Sequence, residues 1–199
     1  METNTNAVLS REEKLNKIFE LFEKYGKTDY LGDPVSKLEH SIQCAMIAER
    51  EGYPKETILG AFLHDVGHMV GEHMHLPEMI THGQNFGTQG HDEVGARFLE
   101  DLGVPTAITK FVRGHVQAKR YKVYKDQTYY NNLSSASKTT LEHQGGPMTE
   151  EEAIQFEADP EMDAILKMRT WDELAKDPNV EIEPLEKYKD MCREILSPN

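Results

Sequence analysis

Ala61-Phe62-Leu63-His64-Asp65-Val66-Gly67-His68 sets an imidazole and a carboxylate side by side behind three apolar residues, and a second imidazole follows four residues after the first. On a helix, residues four apart share a face, so His64 and His68 are expected to address one site. Asp65 is turned by about 100° from His64, towards the side of that site. The apolar run presses the pair against a core, and charges so placed need a partner or a metal ion. A His-Asp pair alone arises often by chance; its neighbours give it weight.

Outward from this stretch the chain reads as helical from end to end. Pro54 opens a helix expected to run unbroken to about Met69. Before it, Ser36 and Glu39 form a capping-box pattern ahead of Leu38, Ile42, Ala45 and Met46, and Ser10 with Glu13 does the same ahead of Leu15, Ile18, Phe19 and Phe22, closed by Gly26. After it, Val70 to Gly90 is rich in Gly and His and lacks a period, which predicts a functional loop. Helices resume over His91–Leu102, from Pro105 to about Lys119, around Ser135–His143, and after a cap at Thr149 and Glu152. Asp159 and Pro160 open a helix carrying Arg169, Trp171 and Asp172, and an amphipathic helix with Tyr188, Met191, Cys192, Ile195 and Leu196 ends the chain. With no repeat and no boundary, the expectation is an all-α bundle: residues 1–10 a flexible start and 11–199 a single domain.

Of 199 residues, 38% are hydrophobic and 29% charged, a balance suited to one packed core in water. No apolar run nears the roughly 20 residues that span a bilayer. The polar start carries neither part of a signal peptide, so the cytoplasm is the expected location and no membrane partner is expected. With 22 basic against 35 acidic residues the net charge is −13, which excludes nucleic acid as a partner but leaves room for a small anion in a local basic pocket. Cys44 and Cys192 lie in no metal or redox spacing and read as buried small hydrophobes. Nine histidines are the unusual count.

His40 precedes the central stretch, and Asp172 lies far downstream in Arg169-Thr170-Trp171-Asp172. This order, His, then His-Asp, then Asp, resembles the HD-domain superfamily of metal-dependent helical proteins, over roughly Tyr30 to Ala175. The resemblance implies that His40, His64, Asp65 and Asp172 ligate one metal ion. His91, at the start of a helix, and His115, in Arg113-Gly114-His115, stand where two-metal members place ligands for a second ion, with Asp65 bridging. Four imidazoles and two carboxylates suit iron, manganese or zinc by ligand type.

Tyr30-Leu31-Gly32-Asp33 lies just before the first ligand, Lys119 stands four residues after His115, Ser137 lies in Leu133-Ser134-Ser135-Ala136-Ser137-Lys138 ahead of Gln144-Gly145-Gly146-Pro147-Met148, and Arg169 stands three before Asp172. Together these are similar to the mixed-valent diiron HD-domain oxygenases that cleave the carbon–phosphorus bond of 1-hydroxy-2-aminoethylphosphonates. That resemblance implies two iron ions as an Fe(II)/Fe(III) pair, O2 as co-substrate and a small hydroxyphosphonate as substrate. It places the phosphonate against Lys119, Ser137, Arg169 and a protonated His68, donors that the chemistry of a doubly charged anion requires. Tyr30 and Asp33 face the cationic end, and Tyr30, Asp33 and His68 are the candidate catalytic residues. The relatives carry Glu where this chain has Asp33; the shorter side chain leaves a roomier pocket with an aromatic face, suited to a trimethylammonium group. Glycine betaine and phosphate are then the expected products, with the primary amine and glycine as the alternative.

Two other readings stand beside it. Most HD-domain proteins are phosphohydrolases, and a two-metal site fits that chemistry equally well; a ligand-binding sensor is the third. His73, His75, His82 and His143 are assigned to loops or the surface, with His73 or His75 available to a lid.

Overall fold

The computed structural model describes residues 9–30 and 32–196. Helices begin where the capping residues stand. Ser10 heads α1 (Arg11–Tyr25), Ser36 heads α2 (Lys37–Arg50), and both close full capping boxes with Glu13 and Glu39. Then follow α3 (Lys55–Leu63), α4 (Val66–Met74), β1 (Glu78–Thr81), β2 (Gln84–Thr88), α5 (His91–Asp101), α6 (Thr106–Lys125), α7 (Gln127–Asn132), α8 (Ser135–His143), α9 (Glu150–Glu157, capped by Thr149), α10 (Met162–Leu174) and α11 (Leu185–Ile195). The all-α expectation holds, with one small hairpin added. Of the expected flexible start, residues 1–8 lie outside the described residues, and Ser10 is the cap of α1.

Two local expectations are corrected. The helix expected over Pro54–Met69 is two helices, α3 and α4, meeting at His64-Asp65; Asp65 has φ −102° and ψ 8°, between the helical and extended regions. His64 and His68 therefore do not share the face of one continuous helix. The turn instead aims Asp65 inward between two elements. Within the expected loop, α4 runs on to Met74 and β1 pairs antiparallel with β2. His82 and Gly83 both have positive φ, 51° and 78°, as a two-residue hairpin turn needs. His-Gly is a weak turn signal beside Asn-Gly, so the sequence pattern does not announce the hairpin.

The core forms where α1, α2, α3, α6, α10 and α11 meet. Phe62 stacks between Phe22, 4.5 Å away, and Tyr188, 4.8 Å away, and Trp171 is fully buried. Cys44 and Cys192 are buried and unpaired, as expected. Gly67 explains its own place in the central stretch: a Cβ there would stand 1.8 Å from the His91 carbonyl oxygen, so only glycine lets the start of α5 press against α4. That contact delivers His91 to the site. No described helix is long and apolar enough to cross a membrane.

Candidate metal centre

Five structural segments converge on one buried cluster. His40 comes from α2, His64 and Asp65 from the α3–α4 turn, His91 from the first residue of α5, His115 from mid-α6 and Asp172 from α10. All six are at most 6% exposed. His40 Nε2 lies 3.2 Å from His64 Nε2, and His91 Nε2 lies 3.0 Å from His115 Nε2. Asp65 serves both pairs: Oδ2 is 3.6 Å and 3.3 Å from His40 and His64, and Oδ1 is 3.5 Å and 3.3 Å from His91 and His115. Asp172 Oδ1 adds to the first pair, 3.3 Å from His40.

The hydrogen bonds show what must lie between the rings. His40 Nδ1 is 2.9 Å from the Ala175 carbonyl, His64 Nδ1 2.8 Å from Ala61, and His115 Nδ1 2.7 Å from Val112. A carbonyl only accepts, so each of these Nδ1 atoms carries the proton and each neutral ring turns a lone pair towards the cluster. Two such lone pairs about 3 Å apart repel unless a proton or a metal ion sits between them. Asp65 Oδ2 and His91 Nδ1 are also buried without a hydrogen-bond partner. Ligand atoms about 2.1 Å from one ion lie roughly 3.0 to 3.5 Å apart, the spacing seen here. The donor set therefore fits two metal ions that share Asp65, and a metal cofactor is the plain reading of this cluster.

Electrostatics agree. Burial alone would raise both carboxyls, yet His64 and His115 hold Asp65, and Arg169 holds Asp172, well below the usual carboxylate range. For His64, burial pulls downward, but Asp65 and Asp172 outweigh it and raise the imidazole to about 9. The site thus draws a cation, proton or metal, onto that nitrogen. Cys44 Sγ comes within 3.9 Å of His40 Nε2 and stands with His40 and His64 as a group of close donor atoms; burial and then the Asp172 and Asp65 charges push its thiol well up.

Beside the cluster lies a small inner cavity of about 40 Å³, bordered by Tyr30, Asp33, His68, Lys119, Ser137 and Arg169, every substrate-site residue expected from sequence. Lys119 is 4% exposed and donates to Thr140 Oγ1 at 2.9 Å. Burial, then the Arg169 charge, lowers its ammonium to about 7. Arg169 is buried and engaged: Nη1 pairs with Asp172 Oδ2, and Nε donates to Tyr129 Oη and Glu173 Oε1, both at 3.0 Å. It holds the carboxylate of Asp172, a candidate metal ligand, while bordering the cavity. Tyr30 stacks on His40, centroids 3.9 Å apart, with its hydroxyl 3.5 Å from Asp172 Oδ1; burial, then the Asp65 and Asp172 charges, keep it a phenol.

His68 corrects one expectation. Its ring stacks on His91 at 3.9 Å, and its Nδ1 accepts the Thr88 backbone N–H at 3.0 Å. A nitrogen that accepts carries no proton, and burial with the His91 charge lowers this imidazole well below its ordinary value. His68 is therefore a neutral ring with Nε2–H as its donor, not the protonated donor expected.

Further residues border the cavity: Ser134, Ala136 and Gln144 from the segments quoted in the sequence, and Met79 of β1, Val116, Thr140 and Lys176 unforeseen. Lys176 Nζ bonds Asp33 Oδ2 at 2.6 Å and lies 5.5 Å from the Tyr30 ring centroid. Gln144 had a signal, a polar residue ahead of Gly145-Gly146; a methionine in a hairpin and a lysine past a helix end have none. His73 bonds the Tyr25 hydroxyl at 3.1 Å and His143 bonds Thr81 at 2.7 Å; His73 and His75 are not among the residues that border the inner cavity.

Residues 38–161 match the family model described as HD domain. The match contains His40, His64, Asp65, His91 and His115, and ends before Asp172. A [1-hydroxy-2-(trimethylamino)ethyl]phosphonate dioxygenase (glycine-betaine-forming) from Leisingera caerulea is 42% identical over 161 residues, 81% of this chain and 79% of that one. A hydroxymethylphosphonate dioxygenase from Gimesia maris is 33% identical over 177 residues, 88% and 85% of the two chains. An uncharacterized protein of Acanthamoeba polyphaga mimivirus is 36% identical over 185 residues, 93% and 83%. With more than half its length in that model and relatives of this likeness, the chain belongs to the HD-domain family and, within it, to the group that contains these phosphonate dioxygenases.

Proposed function

We propose that this protein is a diiron dioxygenase that cleaves the carbon–phosphorus bond of [1-hydroxy-2-(trimethylammonio)ethyl]phosphonate, giving glycine betaine and phosphate. One observation carries the reading: two imidazole pairs share the two oxygens of Asp65, and a cavity containing buried Lys119 and Arg169 opens beside them. The relative named for the trimethylated substrate supports it. Iron bound as an Fe(II)/Fe(III) pair would supply the electron that activates O2 and a Lewis acid for the substrate's hydroxyl and one phosphonate oxygen.

The chain's own residues do the rest. Lys119 and Ser137 hold the remaining phosphonate oxygens, and neutral His68 donates from Nε2. Arg169 keeps Asp172 turned to the metals and adds positive charge on that side. Tyr30 holds its proton at the hydroxyl beside Asp172 and offers its ring to the ammonium end, with Asp33 as counter-charge. Burial of the whole cluster excludes bulk water, which strengthens every one of these interactions. The reaction balances without an outside reductant. The carbinol carbon loses its C–H and C–P bonds and becomes a carboxylate with one added oxygen. Phosphorus leaves as phosphate with the other, and one proton is released.

Protein loaded with ferrous iron and ascorbate is expected to consume O2 and release phosphate in equal amounts from the trimethylated compound, with glycine betaine found by mass spectrometry. The primary amine is expected to give glycine more slowly. Phosphate release from ordinary phosphate esters under argon, with no O2 uptake on either phosphonate, would return the two-metal phosphohydrolase in its place.

A further inference from the structure

We propose that Lys176 is a specificity-determining residue: its ammonium stands where a cationic substrate end must go, so an ammonium-bearing hydroxyphosphonate binds by displacing it from Asp33. This rests on the reading of the site as a hydroxyphosphonate pocket and adds to it the residue that sorts substrates by their amine end. Three observations carry it. Lys176 already makes both contacts that the substrate cation would use, the 2.6 Å bond to Asp33 and the position over the Tyr30 ring. Asp33 is the one carboxylate among the described residues bordering the inner cavity that does not face the metal histidines. While Lys176 is bonded to it, a second cation finds its charge already balanced.

The third observation is space. The inner cavity, about 40 Å³, has room for about three waters on the usual measure, too little for a hydroxyphosphonate with a trimethylammonium group. A second cavity of about 290 Å³ adjoins it, and Asp33, Lys176, Ser134, Ser137 and Arg169 border both. The Lys176–Asp33 pair therefore lies on the boundary between outer and inner space. Its side chains are 26% and 23% exposed, so it is a half-wet ion pair of a flexible side chain, easily exchanged for another cation. A hydroxyphosphonate with no amine leaves the pair in place and gains from one more positive charge nearby.

The test compares native protein with Lys176→Met, which keeps the length of the side chain and removes its charge. Initial rates are measured on the trimethylated substrate, the primary amine and hydroxymethylphosphonate, and dissociation constants are measured by calorimetry without O2. The ratio of kcat/KM for the trimethylated substrate over hydroxymethylphosphonate is expected to rise about threefold or more in the variant, the scale of one part-exposed ion pair. The gain is expected as a lower KM and a lower O2-free dissociation constant for the trimethylated substrate. A ratio cancels differences in folding or metal loading. An unchanged or lower ratio, with both substrates turned over, overturns the role of Lys176 and leaves the oxygenase standing. If the native protein consumes none of the three, the reading of the site falls and this inference with it.

Discussion

Lys119 shows how a single buried side chain sets a pH limit. Its ammonium is lowered by burial and by Arg169 to about 7, against the ordinary lysine value of about 10.4. The unfolded chain thus holds a proton between those two values that the fold has lost, so stability rises with pH across that window. Substrate binding runs the other way, because the phosphonate needs the charged form. We expect kcat/KM to decline as pH rises above about 7, and Lys119→Arg to carry the plateau to higher pH; a native profile flat from about pH 6 to 9 would contradict this. At this scale much of the site was legible. The family resemblance carried by the order His40, His64-Asp65, His91, His115, Asp172 implies six candidate ligands, which the structure brings into one cluster; the Arg169–Asp172 ion pair, three residues apart on one helix face, was not among the expectations. Lys176 was illegible because it lies beyond the end of α10, where no helical spacing ties it to Asp172, and a lone lysine in an acidic chain carries no pattern.

The elements that sequence periodicity missed are the ones that bend for the site. A continuous helix over residues 54–69 satisfies the apolar spacing, but the cluster needs Asp65 between two imidazole pairs, and the chain breaks the helix there. The hairpin hides within a polar, histidine-rich segment of two short strands. Its role is to hold His68: the Thr88 N–H fixes the ring's tautomer, and Gly87, at φ 89°, passes so close that a Cβ would stand 2.4 Å from His68 Nδ1. Gly87→Ala is therefore expected to strain the backbone by about 1–2 kcal/mol and to push the ring off its stack on His91. Activity is expected to fall on the order of tenfold or more, beyond what the small loss of thermal stability explains. Thermal unfolding and kcat/KM measured on the same preparation decide it, and unchanged kcat/KM would show that the hairpin does not position His68.

At the scale of the molecule, a chain of net charge −13 builds its one described buried metal cluster and cationic pocket at the meeting of α2, the α3–α4 turn, α5, α6 and α10. The helices were legible because capping boxes and apolar faces are local patterns. How they converge was legible only through the family resemblance, since no spacing along the chain brings His40 to Asp172. The core around Phe62 and Trp171 holds these segments in register, and bound metal would add links between them. The central claim is that Asp65 joins two imidazole pairs into a two-metal centre. Its most direct test is the metal content of protein prepared with ferrous iron in the absence of O2, native and His91→Ala side by side. We predict about two ions per native chain and about one in the variant, whose first site keeps His40, His64, Asp65 and Asp172. One ion per native chain, or equal contents in the two proteins, would contradict the account.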